Sequence, residues 1–376
     1  MTEAVKSSGL RNVVAGESAI STIDGERGIL SYRGIDIHEL ARHSSFEEVA
    51  YLLHKGSLPR REQLHAFRAQ VARERPIPDA LLSVIRALPR TAHPMTTLRT
   101  AVSALGGLDP DANDDGLPAA SRKAMRLVAQ MATVVAAIDR VRDGRAPLAP
   151  DGQLSHAANF LYMLTGERPR DSGARAMDVA LILHADHEFN ASTFAARVAA
   201  STLADVHGAI TAALAALKGP LHGGANEAVM RALEEIGRPE RAAGWVAETL
   251  AAKRKVMGFG HAVYRTEDPR ATHLRELSRS VGEETRERKW YDITAALEAT
   301  VRSGKPLYPN VDLYSASLYR ALGVPTDLFT PVFAVSRVAG WTAHVLEQLS
   351  NNKLIRPESE YVGPRDVPYV PLAQRG

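Results

Sequence analysis

The 376-residue sequence predicts an all-α fold that carries one small β-hairpin near its N-terminus. Alanine-rich stretches place apolar residues at helical spacing along most of the chain, glycines and capping residues stand where those stretches should end, and strand-like alternation is nearly absent.

In chain order, the β-prone stretch is SAISTIDGERGILSYRG (18–34), where Asp24-Gly25 lies between two short runs and reads as a hairpin turn. FEEVAYLLHKG follows, opened by Ser45 with Glu48 as a capping box and closed by Gly56. EQLHAFRAQVARER is the next helix, and LDPDANDDGLP (108–118) is the clearest loop. SRKAMRLVAQMATVVAAIDRVRDG, AITAALAALKG and NEAVMRALEEIG stop at Gly144, Gly219 and Gly237. FAVSRVAGWTAHVLEQL is the last helix, and the proline-rich YVGPRDVPYVPLAQRG is expected to run extended over a surface. No repeat with a period of roughly 20–50 residues occurs, which argues against a solenoid. The glycines at 219–224 and at 258 and 260 are the hinge candidates, because glycine tolerates the backbone angles of a moving joint.

Composition narrows the function classes. Hydrophobic content of 45% with 24% charged residues describes a globular protein. The 46 Lys and Arg nearly balance 43 Asp and Glu, and the positive residues are scattered along acidic helices, so no nucleic-acid partner is expected. Absence of cysteine excludes disulfides, thiolate catalysis and Cys-ligated metal. The first twelve residues lack a signal-peptide core and no apolar run reaches the roughly 20 residues of a membrane span, so a cytoplasmic location without membrane contact is expected.

Four polar stretches interrupt the apolar helices: HADHEFNAST (184–193), GPLHGGANEAV (219–229), GFGHAVYRTEDPR (258–270) and YPNVDLYSAS (308–317). His222 stands among glycines just before a helix, where the dipole disfavours a second positive charge; it is either a turn histidine or a neutral hydrogen-bond donor to a carbonyl. His261 follows the Gly258-Phe259-Gly260 turn, and Asp268-Pro269 opens the next helix with Arg270 in its first turn. The turn is not a dinucleotide loop, because Val263 stands where the fingerprint wants glycine and no strand precedes it. Arg265 and Arg270 are either anion holders or solvated helix charges. Asp312 is either an N-cap or, in a dry cleft, a base able to take a proton from carbon. His184 and His187 lie one helical turn apart, a weak metal spacing, and His187 equally fits an anionic ligand. Arg337 in an apolar helix needs a partner, and Arg356 beside Pro357 adds another positive clamp.

Taken in order, GPLHGGANEAVM, MGFGHAVYRTEDPRA, YPNVDLYS, FTPVFAVSRVAGW and IRPESEYVG resemble the motifs of the citrate synthase family, in its short dimeric bacterial and archaeal type. The N-terminal GLRNVVAGESAISTIDGERGILSYRGIDIHELARHSSFEEVAYLLHKGSLP is similar to the family's opening, so the resemblance spans essentially the whole chain. It implies a multi-helical two-domain fold, with a large domain from 1–222 and 328–376 and a small domain from 223–327. It also implies condensation of acetyl-CoA with oxaloacetate through an enol, then hydrolysis of citryl-CoA to citrate and CoA. By resemblance, His222 meets the thioester oxygen, Asp312 removes the methyl proton and His261 protonates the oxaloacetate carbonyl. His187, Arg270, Arg337 and Arg356 bind oxaloacetate, Arg356 reaching across a homodimer. Val256, Met257, Gly258, Phe259, Gly260 and Arg265 hold CoA. Acetyl-CoA is a cosubstrate, and no resident cofactor or metal is implied. Two alternatives stand: a 2-methylcitrate synthase using propionyl-CoA, and a catalytically silent helical scaffold.

Overall fold

The structure, a computed structural model, describes residues 10, 13–304 and 306–375. The N-terminal stretch read as lacking a signal-peptide core falls, apart from Leu10, outside the described residues. Among the described residues the chain folds into sixteen α-helices and one small sheet.

That sheet has three strands rather than the expected two: β1 (Ser21–Asp24), β2 (Ile29–Tyr32) and β3 (Ile35–Asp36), antiparallel in that order. The added strand arises at Arg33-Gly34, where both residues take positive φ (50° and 81°) and Tyr32 pairs with Ile35. Two left-handed residues in a two-residue loop give the turn twist that returns a strand on itself. Alternation buries Leu30 and Tyr32 and leaves the other face of β2 half-exposed.

The helix Phe46–Lys55 begins and ends as its sequence demands: Ser45 accepts the Glu48 amide and Gly56 turns left-handed at φ 84°. Only half of the capping box forms, because the Glu48 carboxylate takes the Ser44 hydroxyl at 2.7 Å instead. The helix Leu117–Arg142 starts four residues before Ser121, since Pro118 fits a first helical turn, where its missing N–H costs nothing. The loop expected at 108–118 therefore shortens to 109–116, tied down by Arg126 to Asp109 and Asp111.

Leu117–Arg142 and Phe329–Ser350 form the centre of the molecule, packed against each other and buried nearly all round through their middles. A helix without a polar face must lie inside, and Trp341, Val335 and Val134 are fully enclosed. The helices Ala225–Ile236, Pro269–Thr285, Arg288–Gly304 and Val311–Ala321 pack mainly on one another beside this centre. No described helix is long and apolar enough to cross a membrane.

The tail from 351 onward is irregular apart from a short 3-10 turn, Leu372–Gln374. Asn352 and Ile355 hydrogen-bond to Ser201, and Tyr361, Val362, Tyr369 and Leu372 are exposed. The expected draping is therefore not made on this chain's own surface.

Candidate active site

The polar stretches occupy helix ends and the turns between them. The helix Asp171–His184 ends at a break, and Asn190 caps the next one, Ala191–Ser201, by accepting the Thr193 amide at 3.1 Å. His187 lies in that break, buried, with Nε2 3.3 Å from the Tyr264 hydroxyl. His184 faces the core instead, its Nδ1 donating to the Ala180 carbonyl and its ring against Phe333, so the pair does not present a shared metal face. No group of three or more His, Asp and Glu suited to a metal occurs among the described residues.

His222 sits in a tight turn where Gly223 N–H bonds the Leu217 carbonyl; a Cβ at Gly223 would meet that oxygen at 2.4 Å. Its Nε2 lies 3.3 Å from the Ser192 amide and 2.7 Å from the Ser192 hydroxyl. An amide can only donate, so Nε2 accepts and the ring proton resides on Nδ1. Burial first, and then the charge of Arg337, lower the His222 pKa to about 4, so the ring is neutral near pH 7. This corrects the cause expected from sequence: the following helix is capped by Gly224, two residues on, and desolvation rather than the dipole is the largest influence.

Residues 258–260 pair antiparallel with 308–310: Gly260 N–H bonds Tyr308 O at 2.9 Å and Asn310 N–H bonds Gly258 O at 3.0 Å. Gly258 and Gly260 take φ of 87° and 75°, and Leu313 and Val229 fill the space where a Cβ at Gly258 would go. This pairing brings His261 and Asp312 to adjoining segment ends. The Nδ1 of His261 accepts the Val263 and Tyr264 amides at 3.0 and 3.3 Å, which leaves its proton on Nε2. Burial, followed by Arg270, lowers its pKa to about 4. The His187 and His261 rings stand 5.1 Å apart.

Asn310, not Asp312, caps the helix Val311–Ala321, accepting the Asp312 amide at 3.0 Å. The Asp312 carboxylate is thereby freed from capping, and burial raises its pKa to about 7 although Arg270 and Arg337 pull it down. Arg270 is buried and held by Asp268 through Nε (2.9 Å) and Nη2 (2.7 Å). Arg337, 1% exposed, donates Nε to the His184 carbonyl at 2.6 Å and lies 4.5 Å over the Phe333 ring. Burial lowers its pKa to about 10, which still leaves it charged near pH 7. Charge shows the convergence: Arg270 acts on His187, His261 and Asp312, and Arg337 acts on His187, His222 and Asp312. One guanidinium is ion-paired with Asp268, while the other has no ion pair among the described residues and feels the charge of Asp186 only at a distance, so the pocket suits a small polycarboxylate.

A cavity of about 510 Å³ adjoins this cluster, lined by Val256, Met257, Gly258 and Phe259, with Leu250 and Leu307 adding apolar wall and Arg254 and Lys255 its positive charge. Gly260 and Arg265 do not line it; Arg265 is exposed, 3.9 Å from Glu26. Arg356 is exposed, next to Ile355, whose amide binds Ser201 at the C-terminal end of the helix that carries Ser192 at its other end. One chain therefore does not bring Arg356 to the other residues. Sequence reasoning missed Ser192, Asp268, Asn310, Arg254 and Lys255. Asp268 carries a legible signal, an aspartate two positions before a candidate anion-binding arginine, beyond the helix start that it also caps.

Known proteins resemble this chain in both sequence and fold. Residues 9–358 match the family model described as citrate synthase, C-terminal domain. The chain is 48% identical over 368 residues to citrate synthase 2 of Bacillus subtilis and 46% identical over 372 to the citrate synthase of Haloferax volcanii, covering 98% of each chain. A 2-methylcitrate synthase of Shewanella oneidensis is 42% identical, covering 98% of this chain and 97% of its own. Among solved structures, Pyrobaculum aerophilum citrate synthase superposes with a TM-score of 0.91 at 44% identity, covering 98% of this chain and 95% of that one. The Thermoplasma acidophilum citrate synthase, in ternary complex with carboxymethyl coenzyme A and oxaloacetate, gives 0.92 at 36% identity and 98% of both chains. With motif order, fold and nearly full-length similarity in agreement, the chain belongs to the citrate synthase family.

Proposed function

We propose that this protein condenses acetyl-CoA with oxaloacetate and hydrolyses the citryl thioester to citrate and free CoA. The observation that carries the reading is Asp312: a carboxylate freed from capping by Asn310, with a pKa raised to about 7, is ionised enough near neutrality to accept a proton and basic enough to take one from carbon.

A thioester methyl group is a weak acid, so the base needs help where charge develops. Nδ1–H of His222 faces the thioester oxygen and stabilises the enol as Asp312 takes the proton. The enol carbon then attacks the oxaloacetate ketone, and Nε2–H of His261 passes a proton to the ketone oxygen. In each imidazole a backbone amide occupies the accepting nitrogen, so both rings offer an N–H while neutral. Arg270, Arg337 and His187 hold the oxaloacetate carboxylates, and water finally cleaves the thioester. The apolar and basic cavity beside Val256–Phe259 fits CoA, with Arg254 and Lys255 placed for its phosphates.

The chemistry requires water to be excluded until carbon–carbon bond formation, which suits a cleft between a large domain (1–222 and 328–376) and a small domain (223–327). Exposed Arg356 and the uncovered apolar tail support a homodimer in which Arg356 completes the partner's pocket. Catalysis then uses no resident cofactor or metal, and the protein works in the cytoplasm, without nucleic-acid or membrane partners.

Propionyl-CoA is the second reading, supported by relatives named 2-methylcitrate synthase at 42–44% identity. One methylene changes selectivity by only about 1–3 kcal/mol in an apolar pocket. Thiol release with oxaloacetate and either thioester decides: faster release from acetyl-CoA supports the proposal, a propionyl preference moves it, and release from neither leaves a silent scaffold.

A further inference from the structure

We propose that the turn at residues 25–28 is a strap that fixes the His261 segment against the His187 segment, with Gly25 as its positioning residue. The inference rests on the oxaloacetate site proposed above, since that is what the two histidines are held to bind.

The strap has two anchored ends. On one side, β1 grips the segment around His187: the Ser21 hydroxyl donates to Asp186 Oδ2 at 2.5 Å, the Glu188 amide donates to Ser21 Oγ at 3.0 Å, and the Ile23 amide donates to Glu188 Oε1 at 2.6 Å. Glu188, directly after His187, sits at φ 49°, a conformation L side chains rarely adopt, so the bonds to β1 hold the chain where it would not rest alone. On the other side, two residues beyond Ile23, the Gly25 carbonyl accepts the Arg265 amide at 2.9 Å. That amide lies between Tyr264, which contacts both histidine rings, and Asp268, which holds Arg270.

The approach is as close as glycine allows. A Cβ at Gly25 would meet the Val263 carbonyl oxygen at 2.4 Å, and a backbone oxygen cannot swing away as a side-chain tip can. Gly28 repeats the contact, with Thr266 Cγ2 2.7 Å from its Cβ position. Gly25 is not among the positive-φ residues, so alanine there carries no strain of its own and its whole effect falls on the contact with 263–265. Five residues of chain thus run from the Ser21 bond at Asp186 to the Gly25 bond at Arg265, setting the spacing of rings 5.1 Å apart.

Gly34 supplies the control. It turns the same sheet at φ 81° with nothing within 4 Å of its Cβ position, so Gly34→Ala strains the sheet without touching the His261 segment. The experiment compares wild type, Gly25→Ala and Gly34→Ala by thiol release, oxaloacetate KM and amide hydrogen exchange. The strap predicts that Gly25→Ala raises oxaloacetate KM on the order of 10- to 100-fold, speeds exchange of the Arg265 amide and keeps the wild-type helical spectrum, while Gly34→Ala leaves KM and that amide unchanged. Equal KM in all three proteins overturns it, as does an Arg265 amide that exchanges as fast in wild type as in Gly25→Ala. Should Gly25→Ala not fold, the Arg265 amide of wild type decides alone, protected if the strap exists and unprotected if it does not. Absence of thiol release by wild type is a failure of the proposed reaction instead, and the exchange arm still judges the contact.

Discussion

The carboxylate of Asp268 grips the Arg270 guanidinium through two hydrogen bonds, accepts the Arg270 amide at 3.1 Å and also accepts the Val311 amide at 3.2 Å, so a single buried group joins an anion-binding arginine to the helix that carries Asp312. Burial would raise the Asp268 pKa, but Arg270 overrides it and holds the carboxyl below its usual range. Arg337 makes no ion pair of this kind among the described residues, only a bond to the His184 carbonyl and its stacking on Phe333.

The two arginines should therefore fail differently. Arg270→Ala orphans a buried carboxylate and is expected to cost roughly 3–5 kcal/mol of stability. Arg337→Ala removes a charge that burial already disfavours, which offsets part of the lost His184 bond and Phe333 packing, so its unfolding midpoint should fall less than that of Arg270→Ala. Both should raise oxaloacetate KM by on the order of 100-fold, each losing a charge-assisted contact. Urea unfolding beside substrate titration checks the split; equal stability losses would contradict it.

Asp312→Asn should lower turnover by about 10²–10⁴-fold, the usual worth of a positioned base, with oxaloacetate binding nearly unchanged. In wild type the base works only when ionised, so kcat/KM should fall as pH drops through about 7. Neither His222 nor His261 should add an acid limb above pH 5, because both titrate near 4. Linkage has the opposite sign: a carboxyl whose folded pKa is raised favours the folded state while protonated, and that contribution is full below the unfolded value of 3.8 and is lost as pH rises from there to about 7. Asp312→Asn should accordingly melt higher than wild type at pH 8, with the gap narrowing below pH 7 and closing near the unfolded value of 3.8.

Ser192→Ala removes the hydroxyl 2.7 Å from His222 Nε2 and keeps the amide that fixes the tautomer. The lost contact with His222, about 1 kcal/mol, corresponds to a decrease in kcat of several-fold up to about tenfold. The unfolding midpoint should also fall, because the same hydroxyl bonds Asn190 Oδ1 at 2.8 Å and accepts the buried Trp341 indole N–H at 3.1 Å. Oxaloacetate KM should not change. A variant that loses oxaloacetate affinity with turnover intact would show that Ser192 serves the other substrate.

Mixing an Arg356→Ala protein with a His261→Ala protein tests the shared pocket. Hybrid dimers hold one whole site in two, so random exchange should restore about a quarter of wild-type activity and purified hybrids about half. Equilibrium sedimentation of the wild type should show the dimer. Absence of recovery would mean that each pocket is built from one chain.

Local signals were legible wherever a few neighbouring residues decide the outcome. Ser45 and Gly56 bound their helix because a cap needs only its own turn, and Pro269 and Arg270 open theirs for the same reason. Local reasoning misjudged the elements next door when a neighbour competed: Ser44 took the Glu48 carboxylate, Asn310 took the cap offered to Asp312, and Arg33-Gly34 turned a hairpin into three strands.

By itself the sequence determined that the chain is helical, which family it resembles and which histidines, arginines and aspartate are chemically competent, because residue type and spacing are local properties. Only the tertiary structure decided that Ser192 sets the tautomer of His222, that Asp268 rather than solvent faces Arg270, and that Asp312 is left basic. Those outcomes depend on burial and on partners 30 residues away for Ser192 and His222, 43 for Asp268 and Val311, and 153 for His184 and Arg337. Desolvation and long-range pairing exist only once the chain has closed around them.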